Sequence, residues 1–373
     1  MGNGDVMGLK LHSIFVIVQA VVTIQAVQTE YTSAQPKPGA FCINPAGEPG
    51  KCISIRECEP LLHVLLHKAQ VSAKERTFLI KSRCSMHERQ PWVCCAGPPP
   101  DEQNPLPSPP HCGVRTETRL TGGQLTQLDD YPWTALIEYE KPDGSTGFHC
   151  GGTLINQGHI LTAAHCVSTL PAGWKVHGVR LGEWDLSEAL DCEHNYCNNA
   201  PVDLQISKII IHEGYDALNG SSSHDIALIR FEQQVNFSDT IKPICLPLAE
   251  SIRSKNMTDG ISTVVGWGKS QSSAGVPKRL KLNLNVRDYR VCSALFVRPE
   301  EVQPSQLCAL RKESNNELCS ADSGAGLERF FYGFQYLIGI AGSGKHKCGR
   351  GNIPSLFVSV ADYVEWIQEK VRE

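Results

Sequence analysis

From about residue 112 onward, apolar positions come in short runs, and turn-forming residues break each run before it reaches helix length. WTALIEYE, GGTLI, VRLGEW, DIALIRF, STVVGWG and FQYLIGIAG are separated by stretches rich in Gly, Pro, Asn and Asp. That rhythm predicts many short strands, and hence an all-β sandwich or a pair of barrels. Helical spacing stands out only at the end, in VSVADYVEWIQEKVRE, where Val360, Val364, Ile367 and Val371 fall on one face. A different pattern occupies 41–96, where LLHVLLHKAQVSAKERTFLIKSRC carries two helix-like apolar stretches among cysteines. Between the two regions lies GPPPDEQNPLPSPP, half of it proline, which can form neither a sheet nor a continuous helix. This extended spacer, 97–111, marks a domain boundary.

The first residues change the picture of where the protein works. A polar lead containing Lys10 precedes an apolar run from Ile14 to Ala26, interrupted by Gln19 and Gln25. The run is short for a bilayer span, which needs about 20 apolar residues, and predicts a secretory signal peptide over 1–26. A membrane anchor is the competing reading, and no later stretch could span a bilayer. The 373 residues carry a formal net charge of −4, which gives no global electrostatic reason to expect a nucleic-acid partner.

The 16 cysteines, an even number, suit disulfides in an oxidising compartment. Zinc is the alternative, but paired C-x-x-C knuckles with histidines at ligand spacing are missing. Cys42, Cys52, Cys58, Cys84, Cys94 and Cys95 all fall within 41–96. A unit that small buries too little apolar surface to be comfortable without staples. Six cysteines allow 15 pairings, and spacing alone does not choose among them. Sequons at Asn219, Asn236 and Asn256 agree with passage through a secretory route.

The candidate chemistry is dispersed. LTAAHC places His165 beside Cys166, HDIALIR supplies Asp225, and CSADSGAG supplies Ser323. A serine hydroxyl attacks carbonyls poorly unless a base takes its proton and a carboxylate fixes that base. The order His, Asp, Ser and the three local contexts resemble the chymotrypsin-like serine proteases over 112–373. The resemblance implies a double β-barrel with a C-terminal helix, His165 as general base and acid, Asp225 as its orienting partner and Ser323 as nucleophile. It implies an oxyanion hole built from the backbone N–H groups of Ala321 and Ser323.

RLTGG, with Arg119 and Leu120, matches the family's activation cleavage site. Cutting there would free an α-amino group on Leu120 to pair with Asp322, so the intact chain is expected to be a zymogen. In the family's pattern the bridges of the large domain, 120–373, are Cys150–Cys166, Cys292–Cys308 and Cys319–Cys348, and Cys192 and Cys197 would then pair locally across DCEHNYC. Cys112–Cys245 would hold the segment 112–119 in place after the cut. The six N-terminal cysteines resemble the clip domain of arthropod haemolymph proteases, which implies Cys42–Cys94, Cys52–Cys84 and Cys58–Cys95. Clip domain, spacer and protease in that order look like an insect cascade protease. The partners implied are an upstream activating protease, a protein substrate such as a downstream zymogen, and a serpin inhibitor, in the haemolymph.

Several positions depart from the family's pattern. Ala321 stands where glycine is usual, and a Cβ there costs about 1–2 kcal/mol if the position needs positive φ. Glu317 replaces the aspartate of trypsin-like members in the specificity pocket, Gly344 keeps the entrance open, and Ser355 replaces a glycine at the far wall. These substitutions predict a basic but cramped preference. No cofactor is expected. Calcium could bind through Glu183, Asp185, Glu188, Asp191 and Glu193, against the alternative of a solvated acidic loop. Three functions compete: an active endopeptidase, which the intact triad favours; an impaired homologue acting as a cascade cofactor; and a surface-binding protein resting on the small domain alone.

Overall fold

The computed structural model describes residues 39–47, 49–55, 58, 61, 72–87, 90–96, 105–114, 125–193, 196–216, 223–258, 260–267, 277–294, 303–311, 323–342 and 354–373. Outside them lie the expected signal peptide 1–26, most of the spacer, Arg119, Leu120, Asn219, Glu317, Cys319, Ala321, Asp322, Gly344, Cys348 and the side chain of Cys292.

The N-terminal unit is an antiparallel sheet of β1 (Phe41–Ile43), β2 (Pro49–Ser54), β3 (Arg83–His87) and β4 (Gln90–Ala96), in the order β1-β2-β4-β3. Its apolar core is small: Ile53, Leu61 and Val93 with the buried sulfurs of Cys58 and Cys95. Three disulfides, Cys42–Cys94, Cys52–Cys84 and Cys58–Cys95, add the constraint that so little burial cannot provide. Helix α1 (Ala73–Lys81) begins with a capping box in which Ser72 and Glu75 satisfy each other's backbone N–H. Phe78 and Leu79 lean from α1 onto the Ile53 cluster.

The first large sheet contains β5 (Thr134–Glu140), β6 (Thr146–Asn156), β7 (His159–Thr162), β8 (Lys175–Leu181), β11 (Val202–Leu204), β12 (Ile206–Ile211) and β13 (Ala227–Phe231). Its order is β11-β8-β5-β6-β7-β13-β12, and its hydrogen-bonded ladder stays open between β11 and β12. A two-residue ribbon of β9 (Cys192–Glu193) and β10 (Tyr196–Cys197) is bridged by Cys192–Cys197. The second sheet closes into a barrel, β14-β15-β16-β19-β18-β17, from β14 (Ile261–Gly266), β15 (Leu280–Arg287), β16 (Gln306–Arg311), β17 (Gly326–Phe331), β18 (Phe334–Ala341) and β19 (Ser355–Ser359). Among the described residues, short helical turns besides the expected C-terminal helix occur in this part of the chain. Helix α2 (His165–Ser168) and the helix Tyr289–Ser293 are too short to show a 3.6-residue repeat, and so is a third turn, Glu250–Arg253. The terminal helix α3 (Val364–Lys370) follows a 3-10 turn, and Val360, Val364, Ile367 and Val371 are all buried.

Both sheets share one apolar core, in which Val265, Leu337, Ile340 and Val358 of the barrel join Leu154, Ile160 and Leu161 of the first sheet, and a buried polar contact crosses it. Trp133, fully buried, donates its indole N–H to Glu328 Oε1 at 2.7 Å, joining the start of the first sheet to β17. Cys112–Cys245 ties the segment before the expected cleavage site to the rest. Arg279, 2% exposed, reaches into the segment after that site. It donates to Thr126 Oγ1, Thr134 Oγ1 and the carbonyls of Asp130 and Glu183. Burial lowers its pKa to about 10.

Candidate active site

Strand β7 delivers the first catalytic candidate. All four of its residues are buried, and the chain then passes through Ala163 and Ala164, also buried, into α2, whose first residue is His165. Small side chains let α2 pack closely at that point. Two links hold it there. Cys166 is bonded to Cys150 on β6, and Tyr139 on β5 donates its hydroxyl to Cys166 O at 2.8 Å. Tyr139 is itself buried, which raises its pKa well above the ordinary value, so the phenol stays a donor.

Asp225 arrives just before β13. His224 takes φ 55°, and Ile226 N bonds back to His224 O at 2.7 Å, a tight bend that turns the Asp225 side chain inward. The carboxylate is 1% exposed and both of its oxygens face one residue. His165 N donates to Oδ1 at 2.8 Å, and His165 Nδ1 lies 2.8 Å from Oδ2. A carboxylate accepts, so Nδ1 carries the proton and Nε2 keeps its lone pair. That is the tautomer a general base needs.

Ser323 opens the turn before β17. Its carbonyl accepts from Gly151 N on β6 at 2.9 Å, while the next residue, Gly324, donates its N–H to Ala341 O at the end of β18 at 2.8 Å. The serine turn is therefore pinned to both sheets at once. Gly324 has φ 79°, and a Cβ there would lie 2.3 Å from Thr162 Oγ1 and 2.5 Å from Gly151 O. Only glycine fits. The same Cβ would lie 3.2 Å from Cys166 Sγ, so the serine turn abuts the disulfide sulfur next to His165. His165 Nε2 lies 3.6 Å from that sulfur.

Sequence reasoning passed over Tyr139, Gly151 and Thr162, which hold the two halves of the site. Gly-Gly directly after Cys150 was the available signal for a close backbone approach.

Other expected site residues are more scattered. Ser355 is exposed at the first position of β19, opposite Ala309. The acidic loop is not solvated as a whole: Glu183, Asp185 and Asp191 are buried. Asp191 accepts from the backbone N–H groups of Trp184 and Asp185, and Glu183 from Trp184 N and the Arg180 guanidinium. Burial, and after it the charge of Asp191, hold Glu183 above the usual carboxylate range. Among the described residues these carboxylates do not converge on a common point; the triad of atoms that does, from Cys150, His165 and Cys166, includes two sulfurs already bonded to each other. Asn236 and Asn256 are exposed. Cys308 is disulfide-bonded.

A trypsin-family profile matches residues 120–367, and a profile for the regulatory CLIP domain of proteinases matches 42–95. The chain belongs to the trypsin family. It is a clip-domain serine protease, and its activity is that of a serine endopeptidase. CLIP domain-containing serine protease B4 of Anopheles gambiae is 46% identical over 89% of this chain and 92% of its own length. Melanization protease 1 of Drosophila melanogaster is 33% identical over 89% of this chain and 93% of its own. Among solved structures, the Drosophila Grass clip serine protease of the Toll pathway superposes with a TM-score of 0.63 at 29% identity, covering 90% of this chain and 98% of that one. His165 and Asp225 are carried by the first sheet, and Ser323 by the turn before β17 of the second, with its carbonyl bonded to Gly151 of the first.

Proposed function

We propose that this protein is the secreted zymogen of a serine endopeptidase that works in an extracellular proteolytic cascade, of the kind that serves melanisation or Toll signalling. The observation that carries the reading is the double hydrogen bond from His165 to Asp225 beside the Ser323 turn.

In the proposed cycle Ser323 Oγ attacks the carbonyl carbon of the scissile peptide and its proton passes to His165 Nε2. The imidazolium is stabilised by Asp225 across the 2.8 Å contact. Backbone N–H groups of Ala321 and Ser323 receive the oxyanion. Collapse of the tetrahedral adduct breaks the C–N bond, and Nε2 returns the proton to the leaving amine. Water then repeats the sequence on the ester and frees Ser323. None of these steps needs a cofactor.

Activation follows from cleavage after Arg119 by an upstream protease, with the new amine of Leu120 pairing with Asp322. Glu317 in the primary pocket favours substrates cut after Arg or Lys, with a downstream zymogen as the natural target and a serpin as the inhibitor. The signal-like leader, the cysteine usage and the exposed sequons Asn236 and Asn256 support secretion into haemolymph.

The test is direct. The zymogen is cut after Arg119 and treated with a fluorophosphonate probe and with Arg-ending peptide substrates. Labelling and turnover that vanish in Ser323→Ala support the reading. A correctly cleaved protein that does not label sinks it and leaves a cofactor role in its place.

A further inference from the structure

The carboxylate of Asp225 is 1% exposed, yet it has few donors for a buried charge. An ionised carboxylate offers about four lone-pair sites. Among the described residues two hydrogen bonds reach it, His165 N on Oδ1 and His165 Nδ1 on Oδ2, and both come from one residue. A buried charge is tolerated best when further donors fill its remaining lone pairs. Here they are left to the surroundings.

On the side of Oδ2 those surroundings include Gly342, the residue directly after β18. A Cβ built on Gly342 would stand 3.7 Å from Asp225 Oδ2 and 3.6 Å from Leu356 O, both ordinary van der Waals separations. Space is therefore available for a side chain, and a hydroxyl one bond further out would come within hydrogen-bond range of the carboxylate. Gly342 does not take positive φ, so its backbone does not demand glycine either. In both respects it is the opposite of Gly324. The main chain is fixed at this point by Gly342 N, which donates to Leu356 O on β19 at 3.2 Å.

The other groups around Asp225 are already engaged. His224, its neighbour in the chain, is stacked on His212 and has Nδ1 3.0 Å from the Tyr363 hydroxyl. Tyr215, after β12, has its hydroxyl 3.3 Å from Thr169 Oγ1. Burial, opposed by that contact and aided by the charge of Asp225, holds the Tyr215 phenol above its ordinary range, so it stays neutral. From β18 and β19, Gly342 and Leu356 bring only backbone atoms close to this side. His165 is thus the one group that the Asp225 charge serves through a hydrogen bond.

We propose that Gly342 is a positioning residue for proton transfer: by presenting no side chain to Asp225 Oδ2, it leaves the carboxylate's charge to His165 alone and keeps the imidazole a strong base. A donor at position 342 would draw negative charge off Oδ2, and the imidazolium across the 2.8 Å contact would be stabilised less. The ring would then give up its proton at lower pH. Gly342 acts in this way through Asp225 and not on the reacting atoms. The inference rests on the endopeptidase reading of His165, Asp225 and Ser323.

The experiment uses the full chain cut after Arg119, as wild type and as Gly342→Ser, Gly342→Thr and Gly342→Ala. Active sites are counted with a fluorophosphonate probe, and kcat/KM on an Arg-ending nitroanilide is followed from pH 5 to pH 9. Serine and threonine supply a donor, whereas alanine fills the same space without one. We expect the acid limb of the Ser and Thr variants to lie about half a pH unit to one pH unit below that of wild type, the scale of a charge-assisted hydrogen bond felt through one neighbour. The Ala limb should coincide with the wild-type limb. Titration of His159 and His212 is common to all four proteins and drops out of the difference.

Coincident limbs in the wild-type, Ser and Thr proteins would overturn the role of Gly342 alone. An Ala limb displaced as far as the Ser limb would do the same, because space and not the donor would then be the cause. Failure of all three variants to fold would show that the space beside Oδ2 is closed, which also overturns it. No labelling or turnover by the cleaved wild-type protein would overturn the protease reading itself, and this inference with it.

Discussion

The imidazole rings of His212 and His224 lie face to face, with 4.7 Å between centroids and 4° between planes. His224 immediately precedes Asp225, and His212 follows β12, so the stack joins the bend that aims the Asp225 carboxylate to the sheet beneath it. Tyr363 meets both rings edge-on and its hydroxyl lies 3.0 Å from His224 Nδ1, while Trp366 of α3 tilts onto His212.

This stack makes stability fall in acid. Burial, then His224 and Lys370, lower the His212 pKa, with Glu213 opposing them. Burial, then Arg230, lowers that of His159 to about 4. Both groups bind protons more weakly folded than unfolded, so the unfolded chain takes them up first as pH drops below about 6.5. Stability is then fully present above that value and declines down to about pH 4, where the His159 contribution is exhausted. His159 accounts for at most roughly 3 kcal/mol of the loss. A series of Tm measurements from pH 8 to pH 4 should show the decline, and His212→Phe and His159→Leu should each flatten it. A Tm that rises between pH 6.5 and pH 4 would contradict the assignment.

Asp225→Asn should leave Tm close to wild type and reduce kcat by about 10³–10⁴, because an amide can donate to Nδ1 and so favours the tautomer with Nε2 protonated. Burst titration of the cleaved enzyme, compared across pH 6 to 9, measures this. Loss of less than tenfold would mean that the His165–Asp225 contact does not set the tautomer.

At Gly324 the backbone needs positive φ and the space is taken by Thr162 and Gly151. Gly324→Ala should therefore cost more than the roughly 1 kcal/mol of conformational strain alone, because the Ser323 turn must also move away from β6. Denaturant unfolding and probe labelling together check the point: labelling should fall by at least tenfold even in whatever fraction stays folded.

Arg279→Met and Arg279→Lys should both destabilise the protein, by about 3 kcal/mol or more, since carbonyls of the segment after the expected cleavage site would lose a buried donor. Lysine is not a rescue, because it offers a point charge with three donors where the guanidinium spans a fan of acceptors from Thr126 to Glu183. Thermal unfolding of the two variants decides whether geometry or charge matters; recovery by lysine would favour charge.

Strand rhythm, the C-terminal helix and the three motifs that carry the candidate catalytic residues were legible because each is a local signal, carried by alternation, by a 3.6-residue repeat or by a short stretch of contiguous residues. Other features were not local. Tyr139 and Cys166 are 27 positions apart and Trp133 and Glu328 are 195 apart, and no pattern in either neighbourhood announces the partner. The acidic loop misled for a related reason. Its carboxylates look solvated in sequence, but Glu183 and Asp191 are drawn inward by backbone N–H groups of Trp184 and Asp185, donors that every residue possesses and composition therefore cannot reveal. Disulfide partners in the N-terminal unit came from resemblance, since six cysteines leave the pairing open on spacing alone.

The Cys112–Cys245 bridge spans a sequence separation of 133 and crosses the expected cleavage point. A cut after Arg119 therefore yields two polypeptides but a single diffusing particle. The clip unit stays with the catalytic unit at an effective concentration on the order of millimolar. Contacts between the two units need an intrinsic affinity of only about millimolar to persist, and even a weak hold of the clip on a surface or an assembly carries the serine to the same place. Activation in such a molecule switches on chemistry at an address already chosen, instead of releasing an enzyme to find one.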